Sequence, residues 1–214
     1  MRTKTLLLSA VTLVLGIVYS QAQAVYSQNV VGYINQVIPV GFSMVANQVD
    51  YDGTGTNNTL AHILPSPPNP IYVYKFTSGA YSMCFYAGNV WLPNADMTLN
   101  PGEGVFINNP GPNPITNTFV GTVLQGNYTN AVPVGYSIQS YNFPISGAVS
   151  TGLKYPATPG DYVYTWVSNN FQISFYEGGG IWIANEPTIN IGQSFFIYHS
   201  GTATNWPASF TVQP

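Results

Sequence analysis

Tyr72-Val73-Tyr74-Lys75-Phe76, followed by Phe85-Tyr86, Gly88, Trp91, Gly102 and Val105-Phe106-Ile107, decides the fold, because the chain spells it twice. It returns as Tyr162-Val163-Tyr164-Thr165-Trp166, Phe175-Tyr176, Gly178, Trp182, Gly192 and Phe195-Phe196-Ile197, with Tyr162 standing 90 residues after Tyr72. Upstream, Pro39-Val40-Gly41-Phe42-Ser43-Met44 recurs as Pro133-Val134-Gly135-Tyr136-Ser137-Ile138, and downstream Phe119 is echoed by Phe210. A self-similar period of this length marks two copies of one folding unit.

Working outward, the period inside each copy is two. Tyr72, Tyr74 and Phe76 take one face of a strand while Val73 and Lys75 take the other. Ser78-Gly79, and Ser168-Asn169-Asn170 in the second copy, turn the chain into the next strand. Many short apolar strands separated by Gly and Pro predict an all-β protein: two tandem homologous β-sandwich or barrel-like repeats with at most one or two short helices. The single good helical candidate is Leu60-Ala61-His62-Ile63-Leu64, with Thr59 as its expected cap and Pro65 as its stop. The expected units are a leader at 1–24, a first repeat at 25–123 and a second at 124–214. Val30-Val31-Gly32-Tyr33-Ile34 resembles Phe119-Val120-Gly121-Thr122-Val123. This similarity predicts that Val120 to Val123 is a strand shared by both copies.

Met1 to Ala24 reads as a secretory leader, with Arg2 and Lys4, an apolar run from Leu6 to Val18, and Ala22-Gln23-Ala24 as a cleavage site. The run is shorter than the roughly 20 residues that span a bilayer. The mature form therefore reads as a secreted or outer cell-surface protein with no membrane span. It keeps two bases, Lys75 and Lys154, against seven acids, a formal charge of −5. Only 5 % of the whole chain is charged, where about a quarter is usual. With so few cations, nucleic acid is excluded as a partner and anionic membranes are disfavoured. Cys84 is alone; such a residue is either a buried small apolar side chain or a thiol that pairs between molecules.

The candidate chemistry is sparse. Trp91 and Trp182, with Tyr81 and Tyr176 nearby, either belong to the cores or form sugar-stacking platforms, since aromatic faces offer apolar area at little entropic cost. In Asp50-Tyr51-Asp52-Gly53-Thr54-Gly55-Thr56-Asn57-Asn58, oxygens alternate as in a calcium loop, with Asp50, Asp52 and Asn58 as ligands; an ordinary turn is the competing reading, because no Glu closes the loop. Calcium is the only cofactor suggested. His62 and His199 have no acidic neighbour in sequence. No Gly-x-Ser-x-Gly elbow, His-Glu-x-x-His or phosphate loop is present. Glu177 and Glu186 flank Trp182, so a glycosidase needs those two carboxylates to face across a cleft.

Asn29-Val30-Val31-Gly32-Tyr33, Gly41-Phe42-Ser43-Met44-Val45-Ala46-Asn47-Gln48, Leu99-Asn100-Pro101-Gly102-Glu103-Gly104 and Phe119-Val120-Gly121 occur in this order. Together with Val25-Tyr26-Ser27 they resemble an abundant set of uncharacterised exported proteins of verrucomicrobial bacteria. The resemblance implies a secreted, repetitive β-protein and brings no activity with it. The expected function is therefore non-catalytic, structural or adhesive, and not an enzyme. A carbohydrate-binding module is the alternative and a glycoside hydrolase the more remote one. The expected partners are extracellular glycans, other surface proteins, or further copies joined through strand edges.

Overall fold

The structure is a computed structural model that describes residues 30–212; the leader expected at 1–24 lies outside the described residues. The first half runs β1 (Val31–Ile38), β2 (Gly41–Val45), α1 (Leu60–Ile63), β3 (Ile71–Thr77), β4 (Ala80–Ala87), β5 (Val90–Leu92), β6 (Val105–Asn109) and β7 (Ile115–Thr122). The second runs β8 (Gly126–Val132), β9 (Gly135–Gln139), β10 (Gly147–Ala148), β11 (Tyr162–Val167), β12 (Asn170–Gly178), β13 (Ile181–Ile183), β14 (Thr188–Ile189), β15 (Phe195–His199) and β16 (Thr204–Phe210). The protein is all-β, and the one helix among the described residues is a single turn.

Each half builds a five-stranded antiparallel sheet, β2-β6-β3-β4-β5 in the first and β9-β15-β11-β12-β13 in the second, with the same strand order. A two-stranded ribbon accompanies each sheet, β1 with β7 and β8 with β16. The alternation seen in the sequence sorts the side chains. On β3, Ile71 and Val73 are fully buried against Ile34, Phe119 of the ribbon and Leu60 of α1. On β11, Val163 meets Phe143, Leu153 and the fully buried Trp206 of β16. The opposite faces carry the aromatics, and there the two sheets meet: Met44 and Phe106 pack on Ile138 and Phe196, with Phe76 and Trp166 against them.

The meeting follows a pseudo-twofold axis. Ala46 N–H donates to Gly192 C=O at 2.9 Å, and its counterpart Ser140 N–H donates to Gly102 C=O at 2.9 Å. Phe106 lies 5.4 Å from Trp166, while the equivalent pair, Phe196 and Phe76, lie 5.3 Å apart. The same patch of each copy meets its mate, which is an isologous interface within one chain. Gly104 and Ser194 hold equivalent positions on this axis, and a Cβ on Gly104 would stand 2.3 Å from Ser194 Cβ. One copy therefore needs glycine where the other has a side chain.

Two expectations are corrected. Val120 to Val123 is not shared: β7 pairs with β1, and at Thr122 its other edge is taken by Asp50 through two backbone hydrogen bonds of 2.8 and 2.7 Å. With both edges occupied by first-half backbone, the second half supplies its own ribbon strand, β8. Thr59 precedes α1, but its hydroxyl makes no capping bond to the backbone; it faces His62 Nδ1 at 3.0 Å.

Candidate functional site

The two aromatic sheet faces are larger than the contact between them, so rings remain at its margins. On the first-half side Phe42, Tyr74, Tyr81 and Phe106 meet Trp166 and Phe171 of the second half around an open groove of about 350 Å³ with no charged residue. Phe42, Tyr81 and Phe171 are 41 %, 51 % and 42 % exposed, whereas Phe106 is buried and forms the floor. Trp166 is held in place by its indole N–H, which donates to Phe42 C=O at 2.8 Å, and by an edge contact with Phe171 at 4.7 Å.

The β11–β12 turn reaches across to β2 and closes a second cleft of about 370 Å³, which shares Phe42 and Trp166 with the groove. Its remaining polar lining is neutral: Gln36, Ser43, Ser168, Asn169, Asn190 and Gln193. The pseudo-twofold axis repeats this cleft on the other side, where the β3–β4 turn covers Tyr136 and Ser137 in a larger space of about 710 Å³. That copy is charged. Lys75 Nζ lies 2.9 Å from Glu103 Oε2 and also donates to Thr98 C=O and Oγ1.

The residues expected to form platforms are placed differently from one another. Trp91 is corrected to the first core: it is 6 % exposed, and its indole N–H donates to Leu64 C=O at 3.1 Å. Period two explains this, since β5 turns Trp91 inward and leaves Val90 and Leu92 outward. Trp182 is half-buried against the second core, donates to Ser150 Oγ at 3.0 Å, and packs 5.0 Å from Tyr176. Tyr176 in turn accepts Gly180 N–H at 3.0 Å. Tyr81 does face the aromatic groove, in company with Trp166 and not with Trp91. Burial of its ring raises its phenol above the ordinary tyrosine value. Trp166, Phe42 and Phe171 were missed by sequence reading. Their signal was the alternation that puts Trp166 on the face of Tyr162 and Tyr164, but no pattern said which faces of the two copies meet.

The Asp50–Asn58 loop uses its oxygens internally. Asp50 Oδ2 accepts Gly55 N–H at 2.8 Å, and its Oδ1 accepts the Asn58 amide at 3.1 Å. Asp52 accepts Thr54 N–H, the Thr54 hydroxyl and the Asn57 amide, and these bonds hold its carboxyl below the usual range. Asn58 turns its amide nitrogen, not its oxygen, to Asp50, so the three residues do not converge as calcium ligands. Among the described residues, no group of three His, Cys, Asp or Glu side chains is arranged to hold a metal ion.

Folding brings an acid to His199, which its sequence neighbours do not supply. Asp161 and His199 are both fully buried, and His199 Nδ1 lies 3.0 Å from Asp161 Oδ2. The carboxylate also accepts Tyr155 O–H, Thr158 N–H, Ser200 N–H and the Ser200 hydroxyl. Burial opposes its charge, but these bonds outweigh burial and hold the Asp161 pKa low. Burial, with the charge of Asp161 second, pushes the Tyr155 phenol far up. His199 Nε2 faces Thr202 C=O at 2.8 Å. Both ring nitrogens thus face oxygen atoms of the chain itself, and the ring is fully buried, so neither is presented to a substrate.

Glu186 accepts Ser150 N–H, Thr151 N–H and both of their hydroxyls at 2.6 to 2.8 Å. Burial raises its pKa and these bonds lower it, with a net shift downward. A glycosidase acid requires the opposite shift. No helix among the described residues is long and apolar enough to cross a membrane. Compared with known families, with characterised proteins and with solved structures, the chain gives no match in any of the three.

Proposed function

We propose that this chain is an exported, non-catalytic protein of the cell exterior, with a structural or adhesive role. The observation that carries the reading is the employment of its reactive groups. His199 is locked between Asp161 and Thr202, while His62 stacks on Tyr51 at 4.8 Å and contacts Thr59 and Asn57 C=O. Glu186, Asp50 and Asp52 fasten loops, and both lysines of the described residues are engaged, Lys75 with Glu103 and Lys154 with Thr151 C=O. What the surface offers instead is neutral amides, hydroxyls and aromatic rings on rigid strands, a composition suited to contact and not to proton transfer.

The test pairs retention with turnover. Purified mature protein carrying a fluorescent label is expected to be retained on envelope preparations of the producing cell, and to leave chromogenic glycosides and esters unchanged. Turnover that copurifies with the protein and disappears in Glu177→Gln or Glu186→Gln would replace this reading with a hydrolase. Protein that is neither retained nor active would remove the adhesive role.

A further inference from the structure

The neutral cleft and the aromatic groove share Phe42 and Trp166, and together they have the makings of a ligand site. One wall is aromatic; the other holds side chains whose hydrogen-bonding capacity the fold leaves unused. The Asn169 and Asn190 amides make no hydrogen bond within the described chain, and Gln193 uses only its Oε1, which accepts Asn190 N–H at 3.0 Å. Ser43, 8 % exposed, lines the cleft with a buried hydroxyl that has no partner. Its counterpart Ser137, in the charged cleft, is bonded to Gln139 Nε2 at 3.2 Å. The two copies have thus diverged at this position: one polar group is satisfied internally and the other is not. A buried hydroxyl without a partner is unfavourable by roughly 1–3 kcal/mol unless something outside the chain completes it.

We infer that this cleft binds a neutral glycan. The sugar's C–H face would stack on Trp166 and Phe42, and its hydroxyls would bond to Asn169, Asn190 and Gln193. Charge decides the class of ligand. No ionisable side chain lines the cleft, and both lysines of the described chain are already engaged, so an anionic glycan finds no counter-charge. The floor is built on strands and on the sheet contact through Phe106, and Trp166 is oriented before any ligand arrives. The inference rests on the adhesive reading and deepens it by naming the partner.

The experiment titrates the mature protein, by tryptophan emission and by calorimetry, with neutral oligosaccharides of glucose, xylose, mannose and N-acetylglucosamine. Polygalacturonate serves as the anionic control. Saturable binding of at least one neutral oligosaccharide is expected. It should weaken about tenfold or more in Trp166→Ala and about three- to tenfold in Asn169→Gly. Asn169 is exposed at positive φ, so glycine leaves the turn intact and the second variant reports on contact without refolding the cleft. Trp182→Phe should bind as the parent does. Absence of binding to every neutral oligosaccharide, preference for polygalacturonate, or unchanged affinity in both variants would overturn the assignment. Envelope retention without oligosaccharide binding would remove the glycan site and leave the adhesive reading standing.

Discussion

Asp161 accepts hydrogen bonds from five donors in a site without water-exposed surface, and it closes the connection between Tyr155 and β11 onto β15. Asp161→Ala leaves the Tyr155 hydroxyl, two backbone N–H groups and His199 without their acceptor. It is expected to lower unfolding stability by about 3–5 kcal/mol in a urea melt, the range for removing one partner of a buried pair. The same geometry sets an acid limit. The folded pKa values of Asp161 and Glu186 lie below their unfolded values, so their contribution is complete above the ordinary carboxylate range and is lost as pH falls through the folded values. Melting temperature should hold on the neutral side of about pH 4 and drop below it, more steeply in the parent than in Asp161→Asn. A flat profile across that window would show that these bonds add nothing. At Gly104 the contact is steric: Gly104→Ala should cost about 1–3 kcal/mol, and adding Ser194→Gly should restore part of it, the approach to Ile138 Cγ2 at 2.6 Å remaining, a coupling that only the pseudo-twofold axis predicts.

At the scale of elements, β5 and β13 each end one of the five-stranded sheets and are three residues long. Val90, Leu92, Ile181 and Ile183 are between 42 % and 57 % exposed there. Short edge strands limit pairing with other chains but do not abolish it. Ile181→Lys is expected to reduce concentration-dependent light scattering while leaving the melting temperature unchanged; equal scattering would place self-association elsewhere. The 50–58 loop makes the opposite kind of statement. Because its carboxylates are filled by its own N–H groups, calcium and chelator should both leave the melting temperature where it was, and a calcium-dependent rise would restore the ion site. These strands, the hairpin turns and the helical turn were legible in the sequence because each is a local matter of period and turn chemistry. In the turns at Ser78-Gly79 and Ser168-Asn169 all four residues adopt positive φ, as the primed hairpin geometry demands. Trp91 was legible only in part. Its strand was visible, but the face it takes depends on which side of the sheet becomes core.

On the scale of the whole molecule, the contact through Phe106, Phe196, Phe76 and Trp166 joins two halves that each have a core of their own. We expect a single urea transition in which tryptophan emission and near-ultraviolet circular dichroism coincide. Phe106→Ala should lower stability by about 3–5 kcal/mol and separate the two signals. Two transitions already present in the parent would show that the contact does not couple the halves.

The duplication, the all-β class, the period-two strands and the scarcity of charge were determined by the sequence alone, because local periodicity, turn residues and composition do not depend on what lies across the molecule. The tertiary structure alone decided that the aromatic faces turn toward each other, that Asp161 stands beside His199, and that Phe42 of one copy meets Trp166 of the other. Phe42 and Trp166 are joined by a hydrogen bond across 124 positions of chain. A contact at that separation leaves no periodic trace, since it depends on how two finished sheets pack and not on the order of residues in either.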